Sequence, residues 1–335
     1  MKKGKLDNET LKRLVLGRTG AERPEVVVGP GIGEDCAVID FGEYECVLST
    51  DPITASASRI GSLAVHIACN DVASNGVEPL AVMLTVLLPP ETTEDEISEI
   101  ARQADEAAKG LGVQIVGGHT EVTDVVRQPL VSATAIGRSI GSASCLRHST
   151  QSPALTQPNT LIVVTKQLAL EGTAIAAERC EANIRSLMTD EEIGRAKAMM
   201  DRISVVKEGV IAGRLGIRAM HDITEGGILG AVWEACAREG VGAELTASAL
   251  PFAPETLALC AVLDLDPMRL ISSGSMLMFV PAEKWGALSA ALSEADIPAT
   301  VIGRVLPPED GLTLIMKNGE REPIAPPGPD EIYKI

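Results

Sequence analysis

Aromatic side chains are nearly missing: three Phe, two Tyr and two Trp among 335 residues, 2% of the chain. A surface that stacks rings on nucleobases has nothing to build with. Positive charge is also scarce, with 29 Lys and Arg against 46 Asp and Glu and a net charge of −17, so a phosphate backbone would be repelled. Nucleic acid is therefore not an expected partner. Closely spaced cysteines are lacking too. The seven, at positions 36, 46, 69, 145, 180, 236 and 260, contain no CxxC pair. They give neither a zinc signature nor a disulfide framework, and a reducing cytoplasm fits. No long apolar run exists. The longest, Leu80 to Leu88, is interrupted by Thr85 and closed by Pro89-Pro90. It is too short to cross a membrane and reads as a strand buried on both faces. The start, Met-Lys-Lys-Gly-Lys, is basic but lacks the apolar region of a signal peptide.

What is present is a large apolar fraction, 45%, in a chain about twice the usual domain length. Two domains are expected, over 1–145 and 155–322, with a Ser, Thr, Gln and Pro-rich linker at 141–159. The Pro-rich tail, 323–335, reads as mobile or loosely docked. Periodicity predicts helices over 5–18, 61–74, 91–111, 171–180, 191–201, 204–215, 227–238 and 283–294. Strands are predicted at 80–88, 113–116, 130–136, 161–165, 242–246 and 276–280, with another ending at Asp222. The elements do not alternate strictly as βαβ, which favours α+β domains over a doubly wound sheet.

Five acids share a context, each following or punctuating an apolar element: Asp35, Asp51, Asp71, Glu121 and Asp222. Carboxylates at element ends can converge on one cleft and hold Mg²⁺, a hard cation that takes oxygen ligands. Turn chemistry and helix capping explain any one of them equally well. An acidic protein that handles ATP must bring such a cation, because its own charge repels the phosphates. Gly29, Gly31 and Gly33 could turn backbone N–H groups toward an anion, although a plain turn explains them as well. Gly117-Gly118-His119-Thr120-Glu121 and His221-Asp222-Ile223-Thr224-Glu225-Gly226-Gly227 both read as strands running into glycines, and the second opens a helix whose N-terminus suits phosphate. No nucleophile elbow or His-rich metal motif is present.

Taken in order, these segments resemble a known series. Gly-Glu-Asp35-Cys-Ala-Val, Ser-Thr-Asp51, Asn70-Asp71-Val-Ala, Gly117-Gly-His-Thr-Glu121 and His-Asp222-Ile-Thr-Glu-Gly-Gly are similar to elements of the aminoimidazole-ribonucleotide-synthetase (PurM-like) superfamily, above all its hydrogenase-maturation HypE branch. The resemblance spans roughly residues 29–305. It implies an α+β fold of two domains, the N-terminal one contributing to a dimeric β-barrel and the C-terminal one an α/β sandwich. It also implies ATP and Mg²⁺ as cofactors, with Asp35, Asp51, Asp71 and Glu121 as metal ligands. Nucleotide contacts would come from Gly31, Gly33, Asn70, Gly117, Gly118, Thr120, Lys166, Gly226 and Gly227, beside Asp35, Asp51 and Asp71. His119, Glu121 and Asp222 would serve catalysis, His119 standing where kinase-like members carry Asp. The implied partners are a second copy, a small or protein-borne substrate, and other maturation proteins. HypE proteins are expected to end in Pro-Arg-Ile-Cys, whereas no cysteine follows Cys260 here. The implied activity is ATP-dependent phosphorylation or activation of a substrate oxygen. A small-molecule kinase of the thiamine-monophosphate type and a non-catalytic nucleotide-binding maturation factor are the alternatives.

Overall fold

The computed structural model describes residues 5–54, 59–140 and 159–335. All but the last residue of the expected linker lie outside them. The first half runs α1 (Asn8–Leu11), β1 (Val26–Val28), β2 (Ala37–Asp40), β3 (Tyr44–Ile53), α2 (Ile60–Ser74), β4 (Pro79–Leu88), α3 (Glu94–Leu111), β5 (Gln114–Val122) and β6 (Leu130–Ile140). Its six strands form one sheet in the order β1-β2-β3-β6-β4-β5, antiparallel except for the β4–β5 pair. The second half runs β7 (Thr160–Thr165), α4 (Leu170–Arg179), α5 (Glu181–Ile184), α6 (Asp190–Ala198), α7 (Val206–Arg214), β8 (Met220–Asp222), α8 (Gly227–Glu239) and β9 (Gly242–Thr246). It continues with α9 (Pro254–Leu263), β10 (Met276–Pro281), α10 (Ala282–Glu294), β11 (Ala299–Leu306), β12 (Leu312–Ile315) and β13 (Arg321–Pro323). These strands form a mixed seven-stranded sheet, β13-β12-β9-β11-β7-β10-β8. The fold is α+β, as expected. Among the described residues no helix is long and apolar enough to cross a membrane.

Helix α2 is the rod that joins the halves. It is buried almost all round, packing on the first sheet, on α3 and on α7. Close approach explains its glycine contacts: a Cβ at Gly61 would lie 2.2 Å from the Ile100 carbonyl oxygen in α3. One at Gly209 in α7 would lie 2.1 Å from the Ala73 oxygen. Burying each large side chain of α2, such as Leu63, contributes about 1.5–3 kcal/mol. Asn70, on the same helix, donates to Ile203 O (2.9 Å) and accepts from Val205 N (2.8 Å), tying α2 to the second half. Helix α3 starts at Glu94, three residues later than the expected 91. Thr93 and Glu96 form a reciprocal capping box, and Gly112 ends the helix in the left-handed region at φ 71°.

Two expectations are corrected and a third is met on one face within the chain. In β4, Val82 and Leu88 point under the helices, while Leu80 and Met83 are 46% and 45% exposed on the face that the expected second copy would cover. The sheet is thus covered by helices on one side only, and the barrel is not closed within one chain. Gly117 and Gly118 are not a turn. They lie inside β5, where a Cβ at Gly118 would come 1.8 Å from the Leu84 carbonyl oxygen. Finally, the tail is firmly docked. Asp330 accepts hydrogen bonds from Gly226 N, Ile271 N and Ile332 N at 2.6, 3.1 and 2.8 Å, and Ile332 is fully buried.

Candidate active site

Four acids reach one cleft from four different elements. Asp35 lies just before β2, Asp51 in β3, Asp71 in α2, and Asp222 ends β8. The cleft has a volume of about 310 Å³ and lies between the two halves, with Glu34, Glu171 and Glu225 also on its wall. Its only lysine or arginine among the described lining residues is Lys5.

The acids are held individually. Ser74 Oγ donates to Asp35 (3.0 Å), and His221 Nδ1 lies 2.8 Å from the same carboxylate. The other ring nitrogen of His221 lies 3.5 Å from Glu234. Burial disfavours the imidazolium, but Asp35 and Glu234 outweigh it and raise the His221 pKa to about 10. Burial works against the Asp35 charge as well, and His221 overcomes it, so the carboxyl sits below its ordinary range. Ser49 Oγ donates to Asp71 at 2.5 Å. Asp71 is pushed well above the usual carboxylate range by burial, then by the charges of Asp222 and Asp51 and a hydrogen bond with Asp51. Burial, followed by Asp35, raises Asp222 to about 7. Lys5 carries the compensating charge: burial opposes it, yet Glu234, Glu225, Asp35 and Asp51 raise its pKa. These carboxylates are crowded and short of counter-charge.

Carboxylate oxygens of Asp35 and Asp222 fall within 4.8 Å of one another, a spacing that one cation can bridge, while the charged His221 beside them holds Asp35 and offers no lone pair. Asp222 is 1% exposed, and its Oδ2 has no hydrogen-bond partner. A buried carboxylate oxygen left unpaired costs several kcal/mol unless a cation satisfies it. The oxygen-rich donor set fits Mg²⁺.

The other expected site residues lie elsewhere. Lys166 is in a buried ion pair with Glu208 (2.7 Å) and donates to the carbonyls of Arg202 and Ser204, so its charge is already used. Asn70 has both ends of its amide bonded, as described above. Gly33 meets a packing need: at φ 75°, its Cβ would lie 2.9 Å from the Glu234 carbonyl oxygen of α8, and Arg238 donates to its own carbonyl. Gly31 precedes it in the same loop. The Gly226 amide, at the α8 N-terminus, is occupied by Asp330. Gly227 packs against Met268 and Leu270. Gly117, Gly118, His119 and Thr120 line a separate, largely apolar cavity between β5 and α3. His119 Nε2 sits 3.2 Å from Glu121, both exposed and away from the acidic cleft.

Four charged lining residues escape the sequence: Lys5, Glu34, Glu171 and Glu225. Glu225 accepts from Lys5 N (3.3 Å) and from the Tyr333 hydroxyl (2.8 Å). Glu34 and Glu225 had a signal, as acids inside the Gly-Glu-Asp35 and His221–Gly227 motifs.

The pattern of the family described as AIR synthase related protein matches this chain twice, its N-terminal domain over residues 33–139 and its C-terminal domain over residues 157–315. The carbamoyl dehydratase HypE of Rhodobacter capsulatus is 30% identical over 257 residues, covering 76% of this chain and 72% of that protein. The HypE–HypF complex contains a chain that superposes with a TM-score of 0.74 at 20% identity, over 95% of this chain and 99% of that one. A hydrogenase maturation protein HypE solved in complex with ATP superposes with a TM-score of 0.67 at 20% identity, over 98% and 94%. The two structural likenesses establish the fold.

Proposed function

The chain belongs to the AIR synthase related protein family, and from that premise we propose that its acidic cleft binds ATP with Mg²⁺ and passes the γ-phosphoryl group to an oxygen of a small or protein-borne acceptor. One observation carries this reading: Asp222 Oδ2 is buried without a partner, beside three further carboxylates in a cleft that one lysine cannot neutralise. The ATP complex of a related HypE supports the nucleotide part. Bound there, Mg²⁺ would spread the negative charge that develops on the transferring phosphoryl group.

The residues divide the work. Asp51, Asp71 and Asp222 supply oxygen ligands, and Ser49 fixes the orientation of Asp71. Asp35 contributes a further oxygen while held by Ser74 and the charged His221. Lys5 offers the cation that meets the phosphates directly. Most of the catalysis is then positioning of the reactants.

A second copy belongs to the same reading. The open face of the first sheet and its exposed edge strand β5 ask for a partner, and closure by another sheet gives the family barrel. His119 and Glu121 lie on that edge, and we assign their role to the assembled dimer. A further maturation protein fits as partner by analogy with the HypE–HypF complex, and a cytoplasmic location accords with such work.

Calorimetric titration tests the proposal. The parent chain should bind ATP only with Mg²⁺, Asp35→Asn and Asp71→Asn should each weaken binding at least tenfold, and Asp264→Asn should not. Unchanged affinity in both cleft variants would show that ATP binds elsewhere.

A further inference from the structure

A helical segment ahead of the first sheet has no surface of its own chain to lie on. Asp7 caps it, accepting from Thr10 N at 2.8 Å, and Asn8–Leu11 runs on into a π-helical turn, Lys12–Leu16. No residue from 5 to 27 is buried. Yet Leu11, Leu14 and Val15 recur at the i, i+3, i+4 spacing of one helix face, and Leu14 and Val15 are 41% and 48% exposed. A helix of two turns is marginal in water by itself, and an amphipathic one is stable when its apolar face is covered. The charge is as one-sided as the apolar face. Residues 11–18 hold Lys12, Arg13 and Arg18 and no acid, in a chain of net charge −17.

A groove of matching chemistry lies at the far edge of the sheet, between α3 and β5. Its volume is about 350 Å³, and Leu84 and Val86 of β4, Ile97, Ile100 and Ala101 of α3, and Ile115 of β5 line it. Gly117 leaves its wall open, since a Cβ there would meet nothing within 4 Å. The helix beside it is acidic, with six acids and two bases. Arg102 is held by Glu99 and Glu106, and Lys109 by Asp105, so the first turn of α3 stays negative. An apolar floor with an acidic rim complements an apolar face with basic flanks. Within one chain the two do not meet: the segment leads into β1, at the opposite edge of the sheet from β5, and Lys5 N donates to Glu225 at the cleft. An anionic lipid surface would attract the segment but repel the acidic remainder of the chain.

We propose that the helical segment of each copy, residues 6–16, docks in the α3–β5 groove of a second copy, with Leu14 and Val15 on the apolar floor and Lys12 and Arg13 at the acidic rim. The inference rests on the second-copy reading above and deepens it. A barrel closed by a second sheet sets the β1 edge of one copy beside the β5 edge of the other, which brings each segment to its groove and repeats the contact by symmetry. The contact also reaches the cleft. Lys5 lines the cleft of its own chain and stands directly before the docked residues, so the copy that covers the segment holds Lys5 where the phosphates arrive. Assembly and nucleotide affinity are thereby coupled.

Disulfide trapping between full chains, one of each pair carrying a size tag, decides the docking. Val15→Cys mixed with Ala101→Cys should give a covalent heterodimer on oxidation. Val15→Cys mixed with Leu257→Cys, whose new thiol sits on the exposed side of α9, should not. No heterodimer, equal yield in both mixtures, or a cross-link within single chains of the Val15→Cys, Ala101→Cys double variant would overturn the proposal. By sedimentation, Leu14→Asp and Ala101→Arg should each raise the dimer dissociation constant at least tenfold. Mixed together they should dimerise more tightly than either alone, because one segment and one groove remain intact. Leu14→Asp should also weaken Mg–ATP binding as far as Lys5→Ala does, and an unchanged affinity in the dissociated variant would overturn the coupling to the cleft. A monomeric parent would end the second-copy reading and this inference with it, whereas a dimer indifferent to both substitutions ends this inference alone. If the parent binds no Mg–ATP, the nucleotide reading fails and the trapping still decides the docking. Pelleting of the parent with phosphatidylglycerol vesicles, abolished by Leu14→Asp, would assign the segment to a lipid surface and overturn the proposal.

Discussion

Replacing Asp71 by Asn should make the protein more stable and less able to use Mg²⁺, a combination that a purely structural carboxylate would not give. Asp71 is 5% exposed, near the C-terminal end of α2, where the helix dipole already disfavours negative charge. Its pKa is raised by burial, by Asp222 and by Asp51. An acid whose pKa is raised on folding destabilises the fold once pH exceeds the unfolded value, and each unit costs about 1.4 kcal/mol. Removing the charge returns that cost, so the melting temperature without Mg²⁺ should rise. The amide keeps the shape and can still accept from Ser49. Mg²⁺ reverses the order. A cation at about 100 times its dissociation constant stabilises the parent by about 2.7 kcal/mol. Loss of one ligand should weaken binding by at least the roughly 10–100-fold that outer-shell changes cause. Thermal denaturation at neutral pH, with and without millimolar Mg²⁺, measures both effects. An Asn variant that melts below the parent without Mg²⁺, and gains as much as the parent when it is added, would refute the reasoning.

Lys166→Met should cost about 3–5 kcal/mol by stranding Glu208, while the folded fraction binds Mg–ATP within threefold of the parent by calorimetry; a larger affinity loss would return Lys166 to the nucleotide site. Asp330→Ala strips acceptors from Gly226, Ile271 and Ile332, and should lower stability by about 1–3 kcal/mol in denaturant titration. Lys5→Ala should weaken Mg–ATP binding several-fold and, by removing the counter-charge of the cleft, lower the melting temperature of the metal-free protein, with the loss of affinity shrinking at high salt. Met83→Lys, on the open sheet face, should turn a homodimer into a monomer by light scattering. A parent that is already monomeric at micromolar concentration would end that claim.

The elements that position the cleft were legible wherever local chemistry decides. Thr93 offers the N-cap of α3, although the periodicity placed the helix three residues early, and the glycines around His221 announce the turn into α8. The acids at strand and helix ends pointed toward Asp35, Asp51, Asp71 and Asp222 for the same reason: each has a local context that suits a ligand. Burial was harder to read. The run from Leu80 to Leu88 is apolar on both faces, and nothing local shows that only one face is covered within the chain. Helix α9 went unseen because Thr-Leu-Ala-Leu-Cys-Ala-Val-Leu is apolar all round and offers no period. The tail looked mobile because its prolines are plain in the sequence, whereas the three amides that Asp330 caps come from distant segments. Glu171 is the clearest case. As the second residue of a helix it looks like an ordinary dipole partner, and only its burial beside Ser273 sets it apart, which is a property of the assembled cleft.

The central claim is that the four carboxylates form the metal–nucleotide site. Crystals grown with Mn²⁺ and β,γ-methylene ATP, measured for anomalous scattering at the manganese edge, test it most directly. The account predicts a peak about 2.2 Å from Asp222 Oδ2 and from at least one of Asp35, Asp51 and Asp71, with the triphosphate against it. A nucleotide bound with its metal outside this cleft, and Asp222 Oδ2 still unpaired, would contradict it.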